Sequence, residues 1–498
     1  MIDATYLGID LGIGRVRAVL CDGAERTLAD ASVRLACSAP QPGWREQSPE
    51  EWWHATLEAV ARVRADAPAG FARLSGIGVA GQTQGMTLLD KHDRLLRPAM
   101  LGTDARARAE CVELEAMVTE ARPLTGNLAL PGCSAPKLLW LQKYERSVFD
   151  NIAKVLMPKD FIVFRLTGEF VTDMSDASAT LCFDVARRAW SARMIHAVGL
   201  TPDRFPRLAE GCAQAGELRA PLAEAWGVKA RVPVAAGAAR PAAAALGLGA
   251  VGEGAAYVSL GPSGLSCVTV RGARPCPERA VRNFAHGLPG LWHQLGVTPA
   301  CAAGVEWWAN IAGLPGRGVV HAQAEAAARE AMDDAPVFLP YLDGAGTPHD
   351  DARAAGVFFG LTARTTPAAF AYALLEGVAF SIADGLAAIR ATGTRFGRAS
   401  LIGEGGESRF WCELLATASG LPLDRHAPEF AAAGAGAVRL ARLAAGEGEA
   451  DALCAAPPVV ETVLPRDDWR EDLDIRHARF RRLYRALKAE FAFREPEP

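Results

Sequence analysis

The sequence predicts an α/β protein of two or three domains. Three observations carry this expectation. The chain has 498 residues, more than one hydrophobic core organises. A strand–glycine turn–strand pattern, YLGIDLGIGRVRAVLC at 6–21, returns as YVSLGPSGLSCVTV at 257–270, with Gly261 standing 249 residues after Gly12. Several strand–turn–helix units lie between and after the two copies. The spacing of the copies suggests duplication of a domain-sized unit. Two facing glycine hairpins can hold a polyphosphate through backbone N–H groups. Two unrelated β-hairpins are the plainer alternative.

Composition narrows the function classes. There are 53 basic and 57 acidic residues, for a net charge of −4. That balance argues against a nucleic-acid surface or a polybasic membrane surface. The 11 cysteines are scattered and form no C-x-x-C pair, which disfavours zinc and a disulfide framework and fits a reducing cytoplasm. The first apolar run is broken at Asp10, so no signal-peptide pattern opens the chain. The uncharged run at 283–305 is interrupted by His286, Pro289, His293 and Pro299, so it does not suit a membrane span.

In chain order, 49–67 is a helix with Trp52, Trp53, Leu57 and Val60 on its buried face. A buried strand at 74–80 runs into the polar turn Gly81-Gln82-Thr83-Gln84-Gly85. Polar turns at strand ends are where open α/β sheets bind ligands. A second polar loop, 101–107, carries Asp104 and Arg106. Asp173, Asp176 and Asp184 suit turn and cap chemistry better than a metal site.

At 232–249, VPVAAGAARPAAAALGLG is a strand, a small-residue turn bearing Arg240, and a helix. Pro241 suits the first helical turn, and Gly247 and Gly249 suit its end. A long helix covers 366–389, with Ala369, Ala373, Glu376, Gly377 and Phe380 on one face. At 401–411, LIGEGGESRFW is a strand, a glycine turn and a helix start. An Ala/Gly helix follows at 431–445, and a charged amphipathic helix packed on the surface begins at Trp469.

Five stretches in this order resemble the FGGY family of carbohydrate kinases, xylulokinases most of all. They are GCSAPKLLWLQ (132–142), MPKDFIVFRLTGEF (157–170), TDMSDASATLCFDVARRAW (172–190), FLPYLDGAGTPH (338–349) and GVFFGL (356–361). The resemblance implies an actin-like, ribonuclease-H-like fold with an interdomain cleft. It places sugar on an N-terminal domain (1–250) and nucleotide mostly on a C-terminal one (251–498). It implies ATP and Mg²⁺ as cofactors, a small sugar as ligand, cytoplasmic location and, as in similar kinases, a homodimer. Carried over position by position, sugar falls to Gln82, Thr83, Gln84, Asp104 and Arg106. Phosphates and nucleotide fall to Gly12, Ile13, Gly14, Gly261, Pro262, Ser263, Gly403, Gly405 and Gly406, and Mg²⁺ to Asp10.

The departures from the family pattern gather at those positions. Where the family has GGGDNAAGA, this chain has GAARPAAAA, so Arg240 stands at the base aspartate and Pro241 at its Asn neighbour. A guanidinium cannot accept a proton at neutral pH. Ile13 and Arg15 alter the first phosphate hairpin, and Pro262 removes an N–H from the second. Gln84 stands for a histidine, and Ala345 and Gly346 for a Glu–Arg pair. Glu404 brings negative charge to the adenosine turn. Three expectations follow: a sugar kinase using Asp10 or Asp104 as its base; a pseudokinase that binds sugar or a partner; or an anion site held by Arg15 and Arg240 without metal. Each arginine pairing with a nearby carboxylate is the simpler alternative to the last.

Overall fold

Two seven-stranded mixed sheets are built to one plan. The computed structural model describes residues 4–228, 231–331, 335–427 and 431–492. In the first sheet the hairpin Thr5–Leu11/Arg15–Asp22 is antiparallel, and its first strand pairs parallel with Leu74–Gly81. Thr27–Arg34 adds on one side; Pro233–Ala235 and then Gln214–Glu217 extend the other. Ala238–Ala239 also pairs with the end of Leu74–Gly81. In the second sheet the hairpin Ala256–Leu260/Gly264–Val270 pairs parallel with Ala399–Ile402. Trp292–Thr298 and Arg282–Ala285 lie on one side, Leu423–Arg425 and Glu461–Val463 on the other. The repeat seen in the hairpins therefore extends through both sheets, pairing direction by pairing direction.

The helix Pro49–Asp66 starts at a proline with Glu50 and Glu51 in its first turn, which suits the positive end of its dipole. It buries Trp52, Trp53 and Val60 against the first sheet, while Leu57 is half-buried. The helix Pro367–Arg390 is capped by Thr366, whose hydroxyl accepts from Ala369 N. It is apolar and long enough to cross a membrane, yet 94% of its apolar window is buried in the protein. The one-face expectation for it was too narrow: Ala371 to Leu386 is buried on every side, between the second sheet and the flanking helices. The C-terminal helix Asp467–Ala492 is likewise more than a surface element. It buries Arg476, His477, Phe480 and Tyr484, and Arg476 grips Glu376 of the core helix at 2.6 and 2.7 Å. The cysteines are all free thiols.

Two small-residue helices join the halves. Arg240–Gly247 follows the first sheet, and Ala432–Ala444 comes after most of the second. Ala432–Ala444 nevertheless packs on strands Thr5–Leu11 and Leu74–Gly81 of the first sheet and against Arg240–Gly247. The approach is backbone to backbone. A Cβ on Gly436 would stand 1.8 Å from Ala243 O, and one on Gly78 1.9 Å from Ala437 O. Only glycine allows such contact. Arg439 fixes the crossing, donating to Glu25 of the first sheet's edge and to Leu246 O at 2.7 Å.

Candidate active site

The turn that carries Arg240 rests on a buried charge cluster. Lys159 and Asp160 come from the start of helix Pro158–Thr167; Asp173 and Asp176 come from the end of strand Val171–Asp173 and the helix after it. All four are wholly buried. Lys159 Nζ donates to Asp160 Oδ1 at 2.6 Å and Ala236 O at 2.9 Å, and lies 3.2 Å from Asp173 and 3.9 Å from Asp176. Burial alone would lower the Lys159 ammonium, but the three carboxylates hold it above its ordinary value. Burial pushes the Asp176 carboxyl well up, against the pull of Lys159. Ser175 Oγ donates to Asp173 and accepts from Ala239 N at 3.0 Å, which ties the cluster to the residue before Arg240. The stem of Lys159 fills the space that side chains on Gly81 and Gly237 would need. Asp173 and Asp184 do the turn and cap work expected of them, accepting backbone N–H groups two and three residues on.

Arg240 opens its helix one residue before Pro241. Its guanidinium lies across the first glycine turn and grips Asp10, with Nε–Oδ1 at 2.8 Å and Nη2–Oδ2 at 3.2 Å. The Asp10 side chain is 10% exposed and that of Arg240 46%. Nη1 stands 3.4 Å from where a Cβ of Gly12 would be. Gly12 N bonds to Arg15 O at 2.9 Å, closing the turn, while Ile13, Gly14 and Arg15 are exposed. Arg240 thus has the carboxylate partner that the simpler alternative gave it.

The residues present do not fit Mg²⁺. That ion asks for oxygen ligands at about 2.0–2.1 Å in octahedral array, with one or two carboxylates. Asp10 is the carboxylate on the turn: its Oδ2 accepts from Arg240 Nη2, and its Oδ1, buried and without a hydrogen-bond partner, lies 2.8 Å from Nε. A divalent ion about 4 Å from that charge would meet roughly 2 kcal/mol of repulsion even at the dielectric of water, and more in a cleft.

The second glycine turn meets the turn at 403–406, which the resemblance gives to adenosine. Gly403 has φ +90°, and a Cβ there would collide with Leu260 C at 2.7 Å. Gly405 packs on Leu260 and the Trp411 ring, and Gly406 N bonds to Gly403 O. Pro262 and Ser263 are exposed. The first N–H groups of helix Ala302–Ile311 and its cap are spent on this turn: Ala302 N donates to Gly261 O, and Cys301 N and Ala303 N to Pro262 O. Glu404 is paired with Arg317 at 2.5 Å, so its charge is balanced within the protein.

The polar loops that the resemblance gives to sugar are packed together. Gln82 Nε2 donates to Gln47 Oε1 at 3.1 Å, and Gln47 Nε2 donates to Ile13 O at 2.7 Å. Gln47 therefore joins this turn to the first glycine turn. Thr83 and Gln84 are half-buried, and Gln84 has φ +64°, an unusual conformation for a side-chain-bearing residue and one that clusters at ligand sites. Lys137 Nζ donates to Gln84 O, Met100 O and Leu101 O, so it clips the two loops together. Burial pulls its ammonium down to about 7. Asp104 and Arg106 are buried and bound to each other, with Nη2–Oδ2 at 2.7 Å. Arg106 also reaches Glu46 and stacks 3.6 Å over Trp44. Burial would raise the Asp104 carboxyl, but Arg106 and the N–H groups of Arg45 and Arg106 hold it below its ordinary value. Two buried polar atoms here have no protein partner: Gln82 Oε1 and Arg106 Nη1. Gln47 and Lys137 escape sequence reasoning, because only the fold shows what they join. The signal for Lys137 was its place in GCSAPKLLWLQ, a lysine inside an apolar helical run.

Comparison with known proteins finds relatives of this fold. The pattern described as FGGY family of carbohydrate kinases, N-terminal domain, matches residues 5–247, and its C-terminal counterpart matches 256–445. The xylulose kinase of Escherichia coli (strain K12) is 42% identical over 484 residues, covering 97% of this chain and 99% of that one. A crystal structure of a xyloylose kinase from Brucella ovis superposes with a TM-score of 0.92 at 39% identity, over 97% of this chain and 99% of the other. The xylulose kinase from Rhodospirillum rubrum gives 0.86 at 28%, over 98% and 100%. The actin-like, ribonuclease-H-like two-domain fold expected from the sequence is the fold of these relatives.

Proposed function

The chain belongs to the FGGY family of carbohydrate kinases, and from that membership we propose that it keeps a cleft for a ketopentose or polyol but does not transfer phosphoryl from MgATP at an ordinary kinase rate. One observation carries this reading: Arg240, which the family resemblance sets at the base position, is ion-paired with Asp10, its Nη2 donating to Oδ2. Transfer to a hydroxyl needs its proton accepted, and a placed base contributes roughly 10²–10⁴ in rate. Arg240 cannot accept it. Asp104, the other candidate base, is buried and held as a carboxylate by Arg106. The orphaned Gln82 Oε1 and Arg106 Nη1 support retention of a polar ligand such as a sugar. The protein would then act in the cytoplasm as a sugar-responsive binding or partner protein.

The test is ADP release with MgATP over a panel of pentuloses, hexuloses and polyols, beside thermal melting with each sugar. The expected result is no turnover above the no-sugar control and a raised Tm with at least one sugar. Formation of a phosphorylated sugar at ordinary kinase rates would overturn the reading. The Arg240→Asp/Pro241→Asn double variant is expected to stay inactive, because Ile13 and Pro262 still alter both phosphate turns.

A further inference from the structure

The misfit with Mg²⁺ has a positive side. We propose that Arg240 is a built-in cation: it takes the place of the divalent ion on Asp10, and the cleft holds a phosphate-bearing anion without metal. The inference rests on the loss of base function proposed above, and deepens it by naming a ligand class for the same turn.

The geometry is that of a pinned charge. Asp10 is buried at the end of strand Thr5–Leu11, one of the central strands of its sheet. It holds the guanidinium by one hydrogen bond, from Nη2 to Oδ2, and by an ion pair with Nε 2.8 Å from Oδ1. A guanidinium carries five N–H donors, so four remain once Asp10 Oδ2 has taken one. Nη1, which supplies two of them, lies over Gly12. The guanidinium is half exposed while its carboxylate is not, so the face it offers to solvent is positive. Gly14 has no neighbour within 4 Å of a Cβ position, which leaves open space beside the turn, and the exposed Arg15 begins the next strand. From below, the buried Lys159 cluster holds the 236–239 backbone through Ala236 O and Ala239 N, so Arg240 is held at its root as well as its tip. Fixed N–H donors on a guanidinium suit phosphate oxygens, and the donors here are oriented before any ligand arrives. On the nucleotide side Arg317 already balances Glu404, so no free carboxylate of that pair needs a metal to offset it.

The shared chemistry is a phosphoryl dianion. It could come from a nucleotide, a sugar phosphate or free phosphate, and the probes separate these sources. Calorimetric titration of the full chain with ADP, D-xylulose 5-phosphate and inorganic phosphate is run once in EDTA and once in excess Mg²⁺. Expected is binding of at least one probe in EDTA, with equal or weaker affinity in Mg²⁺, and a loss of tenfold or more in Arg240→Gln. Arg240→Lys, which keeps the charge but not the fork, is expected to lose less than Arg240→Gln; thermal melting shows that both variants are folded. No binding of any probe in EDTA overturns the proposal. So does affinity threefold or more tighter in Mg²⁺, or unchanged affinity in Arg240→Gln. Failure here is separable from failure of the functional reading. Sugar-dependent ADP release would defeat the latter and leave metal-free binding measurable; binding that demands Mg²⁺ would defeat only the former.

Discussion

Replacing Lys159 with methionine tests the foundation of the Arg240 turn. The side chain is wholly buried and serves Asp160, Asp173 and Ala236 O, with Asp176 at 3.9 Å. Methionine keeps most of the volume and removes the charge. Breaking a buried ion pair from one side costs about 3–5 kcal/mol. A second route gives the same size. The core can relieve itself by protonating one carboxylate, and moving a group of ordinary pKa near 4 to neutrality at pH 7 costs about 4 kcal/mol. For a unit of some 250 residues, this lowers Tm by roughly 8–16 °C. The sign with pH follows. The variant's native state binds a proton that the unfolded chain releases above pH 4, so its deficit grows by about 1.4 kcal/mol per unit from pH 4 to pH 7. Calorimetry at several pH values measures this, and hydrogen exchange at Ala239 N–H reports whether the turn loosens. Asp176→Asn is the control: the Asp176 carboxyl lies farthest from Lys159, at 3.9 Å, and makes no hydrogen bond, so the change is expected to alter stability by less than about 1 kcal/mol. A Tm drop under 2 °C in Lys159→Met, or a deficit independent of pH, would refute the cluster as drawn.

Other predictions concern the joints of the fold. His286 and His293 lie buried with rings 4.3 Å apart, where the second sheet meets residues 178–188 of the first half. Burial lowers His286 to about 3 and His293 well below its ordinary value. Their folded forms stay neutral while the unfolded chain takes up protons below pH 6.5. Stability should therefore fall with acid by up to about 2.7 kcal/mol per pH unit, and the double change to phenylalanine should flatten urea midpoints between pH 6.5 and 5. Gly436→Ala would gain about 1 kcal/mol on helix propensity. Its Cβ would press on Ala243 O at 1.8 Å, so denaturation should instead show a loss of about 1–3 kcal/mol; any gain would disprove the crossing. Arg106→Lys keeps charge but loses the fork on Asp104 and the stack on Trp44, so a loss of about 2 kcal/mol is expected by the same assay.

What the sequence disclosed, and what it withheld, divides by distance along the chain. The hairpins at 6–21 and 257–270 were legible because a glycine between two apolar runs is a local signal, and repetition multiplied it. Thr366-Pro367 marked a helix start for the same reason. Arg240 was visible as an anomaly, but its partner is 230 residues away, and no local pattern names Asp10. The same holds for Lys159 with Ala236 and for Arg476 with Glu376. In the motifs 157–170 and 172–190, ionisable residues sit amid apolar ones. The fold shows that four of them, Lys159, Asp160, Asp173 and Asp176, are wholly buried and support a distant loop. Asp104 and Arg106 were assigned to sugar from resemblance; their burial against Glu46 and Trp44 shows that they also brace the loops.

The late arrival of helix Ala432–Ala444 has a consequence for how the protein is made. It supplies Val438 and Ala441 to the cluster around Tyr6, Val19 and Cys21, and its backbone lies in the glycine trough of Gly8, Gly76 and Gly78. A ribosome therefore releases the first sheet long before the element that roofs it is synthesised. Until about residue 444 has emerged, that trough is an apolar, open surface of the nascent chain. A fragment cut at residue 250 would keep it open, and should bind a separately added C-terminal fragment in trans rather than stand alone.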